Sequence, residues 1–323
     1  SNRFFTYKMP GGYQFAYIDS NDGASRNNKL QVFNRTLDDN DVALINTLRS
    51  LLPSVYEKQT SKDRSYVMYN DQPDGATPSA SYGHAKGVLG IEEDGENSFW
   101  LLHSTPHFPA PSGSSKFYFP DGEIKFGQTF LCMTLGSGNL DKIAEQLRYI
   151  HPYVYFDNTK SSTKKANPNL DSLLDKDFIT DAGSNTMNFK VGSRAFTSFA
   201  KNSNWDSDLW EDLVAPGLDS GLIVETWMRG SEIGPCCKPK YEYDVVDVQT
   251  MDAISSDGAT KIEWTEGGDH SKWAVTTDKS NRVCVGDINR MTTQRDRGGG
   301  AVCFSSAVMA YTLNNSVTGA DSC

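Results

Sequence analysis

The chain has 323 residues, of which 37% are hydrophobic and 11% aromatic, and a formal net charge of −10 at pH 7. That length suits one large domain or two of ordinary size with a packed core, and no apolar run approaches the roughly 20 residues of a membrane-spanning helix. The acidic balance excludes a general electrostatic attraction for nucleic acid, so contact with DNA requires a local basic groove. Lys160 to Lys165 and Arg290 to Arg297 are the candidate tracts, and titration of carboxylates near about pH 4 to 5 would improve polyanion binding in acid.

In chain order, Phe4 to Asp19 is predicted as a strand pair around Pro10-Gly11-Gly12. Asp38 to Leu52 reads as a helix, because Val42, Ile45, Leu48 and Leu52 recur at helical spacing, acidic residues lead and Pro53 follows. Tyr82 to His103 reads as strand, polar turn (Glu92 to Asn97) and strand, and Gly127 to Leu135 as a buried strand. Asn139 to Ile150 is an amphipathic helix with Leu140, Ile143, Ala144, Leu147 and Ile150 on one stripe, ended by Pro152. Gly136-Ser137-Gly138 lacks the further glycine and the lysine of a phosphate loop, so it is a plain lead into that helix. Tyr153-Val154-Tyr155 is expected as a buried strand.

From Asp157 to Asp177 the composition turns polar, which marks the expected boundary between an N-terminal half (residues 1–156), a linker region (157–177) and a C-terminal half (178–323). The second half brings the stretch Phe189 to Phe199, a helix around Trp205 to Leu213, and strands at Leu222 to Met228 and Tyr241 to Met251. A further hairpin falls within Asp269 to Gly300, and a terminal helix or strand over Ala301 to Leu313. Strands and helices mix in both halves, so the fold class is α/β.

Two stretches echo each other. His270-Ser271-Lys272 opens the late hairpin and His84-Ala85-Lys86 the early one. Residues two apart on a strand share a face, so each imidazole and ammonium can face one pocket. Lysine has no lone pair to give at neutral pH, which makes the couple a poor metal site and a good oxyanion site. His103 lies 19 residues after His84, and Asn289 lies 19 after His270. Equal offsets are the mark of an internal duplication. His107 and His151 lack counterparts and read as ordinary residues. Trp100, Trp264 and Trp273 sit among apolar residues and read as core rather than as base-stacking platforms. Asp287 either orients a histidine or begins a turn, and Arg290, Arg297 and Gly298 to Gly300 could line a DNA groove.

Six cysteines with no C-x-x-C pair argue for disulfides and export rather than zinc. No export leader is visible at Ser1, so it is expected to have been removed. Sequons stand at Asn34 and Asn314.

The stretches HAKGVLG, FWLLHSTPHFP, GQTFLC, SFAKNSNWDSDLW, DHSKWAV, VCVGDINR and RGGGAVCF, with YKMPGG and YVMYNDQPDG, resemble the deoxyribonuclease II family of acid endonucleases over about Tyr7 to Cys303. That family is similar to the phospholipase D superfamily, where two H-x-K half-sites build one active site. The acidic residue expected there five positions after the lysine is replaced by Ile91 and Thr277, a gap shared with the deoxyribonuclease II family. The resemblance implies two phospholipase D-like halves related by pseudo-two-fold symmetry, with mixed sheets packed centrally and helices outside. It also implies a Cys284–Cys303 disulfide, and one of Cys236 or Cys237 paired with Cys323.

A metal-free attack on a phosphodiester needs a nucleophile, a proton donor and fixed cations. One of His84 and His270 would attack phosphorus, and the other would protonate the leaving oxygen; the family's emphasis on the later motif favours His270 for attack. Lys86 and Lys272 would hold the non-bridging oxygens, with His103 and Asn289 completing the cradle. The resemblance implies 3′-phosphate and 5′-hydroxyl ends. The expected partner is double-stranded DNA, with no cofactor, metal or membrane, and homodimerisation is left open. The competing readings are a phospholipase D-like lipid phosphodiesterase and a catalytically inactive DNA-binding protein.

Overall fold

The computed structural model describes residues 3–20, 29–37, 64–73, 75, 80–92, 98–109, 119–136 and 138–323. The helix expected over Asp38 to Leu52 lies outside the described residues, as do residues 93–97 of the expected turn. In the first half, β1 (Arg3–Lys8) and β2 (Gln14–Asp19) form the expected hairpin, turned by Gly11 at φ 78°, a left-handed conformation that glycine adopts without steric cost. With β3 (Leu30–Thr36), β4 (Arg64–Asn70), β5 (Lys86–Glu92), β6 (Ser98–His103), β7 (Gln128–Leu135) and β8 (Val154–Asp157) they are ordered β3-β2-β1-β7-β6-β5-β4-β8, all antiparallel.

The second half contributes β9 (Ser184–Val191), β10 (Arg194–Lys201), β11 (Leu222–Thr226), β12 (Val245–Ile254), β13 (Lys261–Thr265), β14 (Lys272–Thr276), β15 (Arg282–Gly286), β16 (Gly299–Ser305) and β17 (Val317–Ala320). Here the order β9-β10-β16-β15-β14-β11 is antiparallel, and β12 joins parallel to β11. β12 also takes β13 and β17 antiparallel and two residues of β3 in parallel, which makes one mixed sheet system.

Helix α1 (Asn139–Ile150) buries Leu140, Ile143, Ala144, Leu147 and Ile150, the stripe read from the sequence. It packs against β9, β10 and β16, and its stripe joins Phe189, Phe196, Val302 and Leu131 in a core drawn from both halves. Residues this deep typically lose about 2–5 kcal/mol on truncation to alanine. The polar stretch 157–177 carries α2 (Ser161–Ala166) and α3 (Pro168–Leu174). α3 packs against α1 through the buried Leu170 and Leu173. The helix expected around Trp205 to Leu213 is displaced: a π turn over Trp210–Val214 runs into α4 (Ala215–Leu218). Asp208 leads this segment, and its Oδ1 accepts from the Trp210 and Glu211 amides at 2.9 and 2.8 Å, which starts the turn later than apolar periodicity indicates. The terminal segment is strand then helix, β16 followed by α5 (Ala307–Ser316), capped by Ser306.

Tyr153 to Tyr155 is corrected to a half-buried strand: β8 pairs on one side with β4, at the margin of the sheet. Trp100, Trp273 and Trp264 are core, as expected. Disulfides join Cys284 to Cys303 and Cys237 to Cys323, while Cys132 and Cys236 remain buried thiols. Among the described residues no helix is long and apolar enough to cross a membrane.

Candidate active site

Both H-x-K couples stand at the start of the first strand of a hairpin. Lys86 is the first residue of β5 and Lys272 of β14, and each histidine precedes its strand. The imidazoles are therefore not strand residues alternating with the lysines, as spacing alone suggests. They sit in the approach, where the backbone is free to bond elsewhere. The His84 amide donates to Gly298 O at 2.8 Å, just ahead of β16, and the His270 amide donates to Gly127 O at 2.9 Å, just ahead of β7. Each half's histidine is thus docked on the other half's chain.

Close approach explains the glycines. A Cβ at Gly83 would stand 2.0 Å from the Ile150 carbonyl oxygen, and one at Gly298 would stand 2.1 Å from it. The C-terminal end of α1 is wedged between the two segments, and the Gly83 amide donates to His151 O at 2.8 Å. Gly83→Ala is expected to cost at least about 2 kcal/mol by overpacking against backbone and, by displacing His84, roughly a hundredfold in activity. A thermal melt and a plasmid-nicking assay on the same preparation check this.

The side chains are buried or nearly so. Lys86 and Lys272 are both 4% exposed, and His103 and Asn289 are both 3% exposed. His84 Nδ1 lies 2.6 Å from Asp287 O. A carbonyl only accepts, so Nδ1 carries the proton and Nε2 keeps its lone pair. This decides the role of Asp287: its backbone carbonyl, not its carboxylate, orients the histidine. Burial pushes the Asp287 carboxyl up to about 7 against the opposing pull of Lys86 and Lys272.

Asp71, at the end of β4, was not singled out by sequence reasoning. Its Oδ1 takes the Lys86 ammonium, and its Oδ2 takes Arg297 Nη2 at 3.1 Å and lies 4.0 Å from His84 Nε2. Burial would raise this carboxyl, but Lys86, His84 and Arg297 outweigh it and hold it well below the usual carboxylate range. Arg297 also donates to Tyr82 O at 3.0 Å, so of the basic residues read as groove-lining it braces the first half-site. Arg290 is corrected: it is fully buried, bonded to Asp247 and 3.7 Å from Asp208. A guanidinium takes such a place because its fork satisfies several carboxylates at once.

His270 is held differently. Phe126 stacks on it at 3.8 Å between centroids and Trp227 packs beside it at 4.7 Å. Its Nδ1 lies 3.4 Å from Glu123 Oε2. The neighbouring Asp269 is buried, and its carboxylate accepts from Tyr7 OH, from Trp264 Nε1 at 2.7 Å and from the Ser271 amide at 2.9 Å, which anchors the segment below the histidine. Lys272 Nζ donates to His270 O at 2.8 Å.

Electrostatics link the two couples. Burial, and then Lys86 beside it, lowers Lys272 to about 7. Burial, then Lys86 and also Lys272, push His84 well below the ordinary histidine value. His270 is lowered by burial and by Lys272, with Glu123 opposing. Burial, and then Lys86, lower His103 to about 3, so its ring is neutral, and with Nδ1 accepting from the Thr105 amide at 3.3 Å the proton sits on Nε2. Among the described residues, His103 Nε2, His270 Nε2 and Asn289 Oδ1 are buried polar atoms with no hydrogen-bond partner; of these His103 Nε2–H donates, while an amide oxygen such as Asn289 Oδ1 only accepts. Among the described residues no group of three or more His, Cys, Asp or Glu side chains is placed to hold a metal ion.

His107 and His151, the two histidines without counterparts in the repeat, each bond a backbone carbonyl: His107 Nδ1 faces Pro73 O at 3.3 Å, and His151 Nε2 faces Ile179 O at 2.7 Å. His151 ends α1 in the left-handed conformation, so its place is a helix terminus. Asp71 carried a faint sequence signal, because it lies in YVMYNDQPDG. Glu123 carried none.

The chain thus carries two imidazole–ammonium couples, each docked on a segment of the other half and coupled electrostatically through the buried Lys86 and Lys272. A family model described as Deoxyribonuclease II matches residues 3–323, and the chain belongs to the deoxyribonuclease II family. It is similar to Plancitoxin-1 of Acanthaster planci, at 34% identity over 337 residues, covering 99% of this chain and 89% of that protein. It is 34% identical to Deoxyribonuclease-2 of Caenorhabditis elegans, with 96% of this chain and 88% of that one covered. Deoxyribonuclease-2-alpha of Bos taurus is also 34% identical, over 95% of this chain and 84% of its own.

Proposed function

We propose that this chain is a metal-independent acid endodeoxyribonuclease, a hydrolase that cleaves double-stranded DNA to 3′-phosphate and 5′-hydroxyl ends through a phosphohistidine. What supports the reading most is the crossing of the two H-x-K segments, His84 bonded to Gly298 and Asp287 and His270 to Gly127, with Lys86 lowering both His84 and Lys272. One imidazole Nε2 attacks phosphorus, and the P–O5′ bond breaks as the other imidazole, protonated, gives its proton to O5′. Water then attacks phosphorus, the second imidazole takes a proton from that water, and the N–P bond breaks to leave the 3′-phosphate. Lys86 and Lys272 neutralise the non-bridging oxygens while His103 Nε2–H and the Asn289 side chain hold them.

Matching strand orders support two phospholipase D-like halves. β4-β5-β6-β7 followed by α1, and β11-β14-β15-β16 followed by α5, run in the same antiparallel succession. The stretch 157–177 is the proposed junction. The disulfides fit an exported protein, in a secreted, periplasmic or lysosome-like compartment.

An acid optimum follows from charge. The attacking imidazole must be neutral while the donor imidazole and Lys272 are protonated, and Lys272 at about 7 loses its charge above neutrality. Nicking of supercoiled plasmid in EDTA is expected at acid pH, falling as pH rises above about 6, with 5′-hydroxyl ends. A maximum near pH 9, or a requirement for a divalent ion, overturns the reading. Hydrolysis of phosphatidylcholine instead of plasmid would favour the lipase alternative, and tight binding without nicking the inactive one.

A further inference from the structure

Lys8 ends β1 and Lys201 ends β10, within the stretches YKMPGG and SFAKNSNWDSDLW, and both side chains are fully buried. We propose that the two are matched positioning residues that act crosswise: Lys8, by holding the loop ahead of β7, poses His270, and Lys201, by holding the loop ahead of β16, poses His84. The inference deepens the phosphodiester-cleaving reading of the site and rests on it.

The two lysines occupy one place in a repeated unit. Lys8 pairs across the sheet with Gln128, the first residue of β7, and Lys201 with Gly299, the first residue of β16. The residues ahead of those strands, 121–127 and 292–298, follow the same plan. Each stretch opens on a three-residue 3-10 turn, Asp121–Glu123 and Thr292–Gln294. The Ile124 and Arg295 amides donate back to Asp121 O and Thr292 O at 3.4 and 3.2 Å, and the Phe126 and Arg297 amides to Glu123 O and Gln294 O at 3.2 and 3.3 Å. A helical turn that stops leaves its last carbonyls to find acceptor partners elsewhere. Lys8 Nζ donates to Ile124 O at 2.7 Å and Phe126 O at 2.6 Å, with a further bond to Met9 O at 3.0 Å. Lys201 Nζ donates to Arg295 O and Arg297 O, both at 2.7 Å. In each half the ammonium takes the carbonyls of the fourth and second residues before the strand. The carbonyl of the residue between them and the strand, Gly127 or Gly298, takes the amide of the opposite half's histidine.

The residues so held also reach across with their side chains. The Phe126 ring stacks on His270, and the Arg297 guanidinium bonds Asp71 and Tyr82 O beside His84. Each lysine therefore fixes a backbone acceptor and a side chain that serve the other half's imidazole. An ammonium suits the place because it offers three donors and no acceptor, so one group closes several carbonyls. Burial lowers both lysines to about 8, opposed by Asp269 and Glu123 at Lys8 and by Asp208, Asp296 and Asp206 at Lys201. Both accordingly stay charged throughout the acidic range. The bonds of each lysine lie within its own half, whereas the histidine they serve lies in the other, so loss of either clamp is felt across the junction.

Lys8→Met and Lys201→Met, which keep most of the length and remove the donors, are the test, made in the full chain. Imidazole ring signals followed by NMR without DNA are expected to respond crosswise: Lys8→Met shifts His270 more than His84, and Lys201→Met shifts His84 more than His270. In EDTA each variant is expected to lower kcat for nicking at least about tenfold and to leave KM for DNA within about threefold, because a ring is misplaced while the contacts to substrate remain. Lys8→Gln and Lys201→Gln keep a shorter donor. They are expected to give the same pattern more weakly, and they carry the test if the methionine variants do not fold. In the wild type the ammonium protons of Lys8 and Lys201 are expected to exchange slowly enough in acid to be seen by NMR of lysine-labelled protein. Exchange as fast as that of exposed lysines overturns the proposal whatever the variants do. Ring signals that move equally in both variants, or not at all, overturn it as well, as does an unchanged kcat. If the wild type fails to nick in EDTA, the nuclease reading fails, while the crosswise ring shifts still decide the two clamps.

Discussion

His84→Ala and His270→Ala are each expected to lower plasmid nicking in EDTA by at least about a thousandfold, in a chain that still folds. Removing a nucleophile or a proton donor eliminates a step rather than weakening it, and general acid–base catalysis alone contributes typically ~10²- to 10⁴-fold. The double variant should be little worse than either single one, because the two rings act on the same phosphorus in sequence and their losses do not add. Residual single-variant activity within tenfold of the wild type would mean that the couples do not cooperate. Retention of fold is plausible on packing grounds: the side chains of His84 and His270 are 13% and 12% exposed and each backbone amide keeps its glycine acceptor. Circular dichroism and a thermal melt of the purified variants serve as the control.

Asp71→Ala is expected to be the most destabilising single change in the site. Lys86 and Arg297 both lean on this carboxylate, and His84 faces it. Removing it leaves buried cations uncompensated, which typically costs about 3–5 kcal/mol. The pH dependence has a definite sign. The folded-state carboxyl is held below its unfolded value, so its contribution is fully present above about pH 4 and is lost only as pH falls through the depressed folded value. Urea titrations of wild type and variant should differ by a near-constant stability from neutrality down to about pH 4, and converge in stronger acid. A gap that widens as pH falls below about 4 would contradict this. The clamp thus stays charged throughout the acidic range in which the enzyme is proposed to work.

The candidate site was legible in the sequence because its residues recur. His-x-Lys appears twice with His103 and Asn289 at matched offsets, and repetition needs no knowledge of the fold. The strands that carry them were legible for a related reason: β5, β6, β14 and β15 are short, apolar and bounded by polar turns. The supporting residues were not. Asp71 is far from Arg297 in sequence and Glu123 is far from His270, and each pair is created by the crossing of the chain, which no local pattern encodes. Arg290 was misread because a basic residue in a run with Arg295 and Arg297 looks like a surface tract; its carboxylate partners Asp247 and Asp208 come from distant segments. The place of the His84 ring on the Asp287 carbonyl was equally hidden, since a backbone acceptor leaves no signature in residue type.

The reciprocal docking of each histidine amide on the opposite glycine segment, His84 on Gly298 and His270 on Gly127, bears on how the enzyme can be divided. Two catalytic units that only shared a substrate could be prepared as separate fragments, each retaining a correctly posed imidazole. Here either fragment alone forfeits the acceptor that poses its own ring. Turnover in a split version must come from reassembly of the fragments, with a rate that scales with both concentrations.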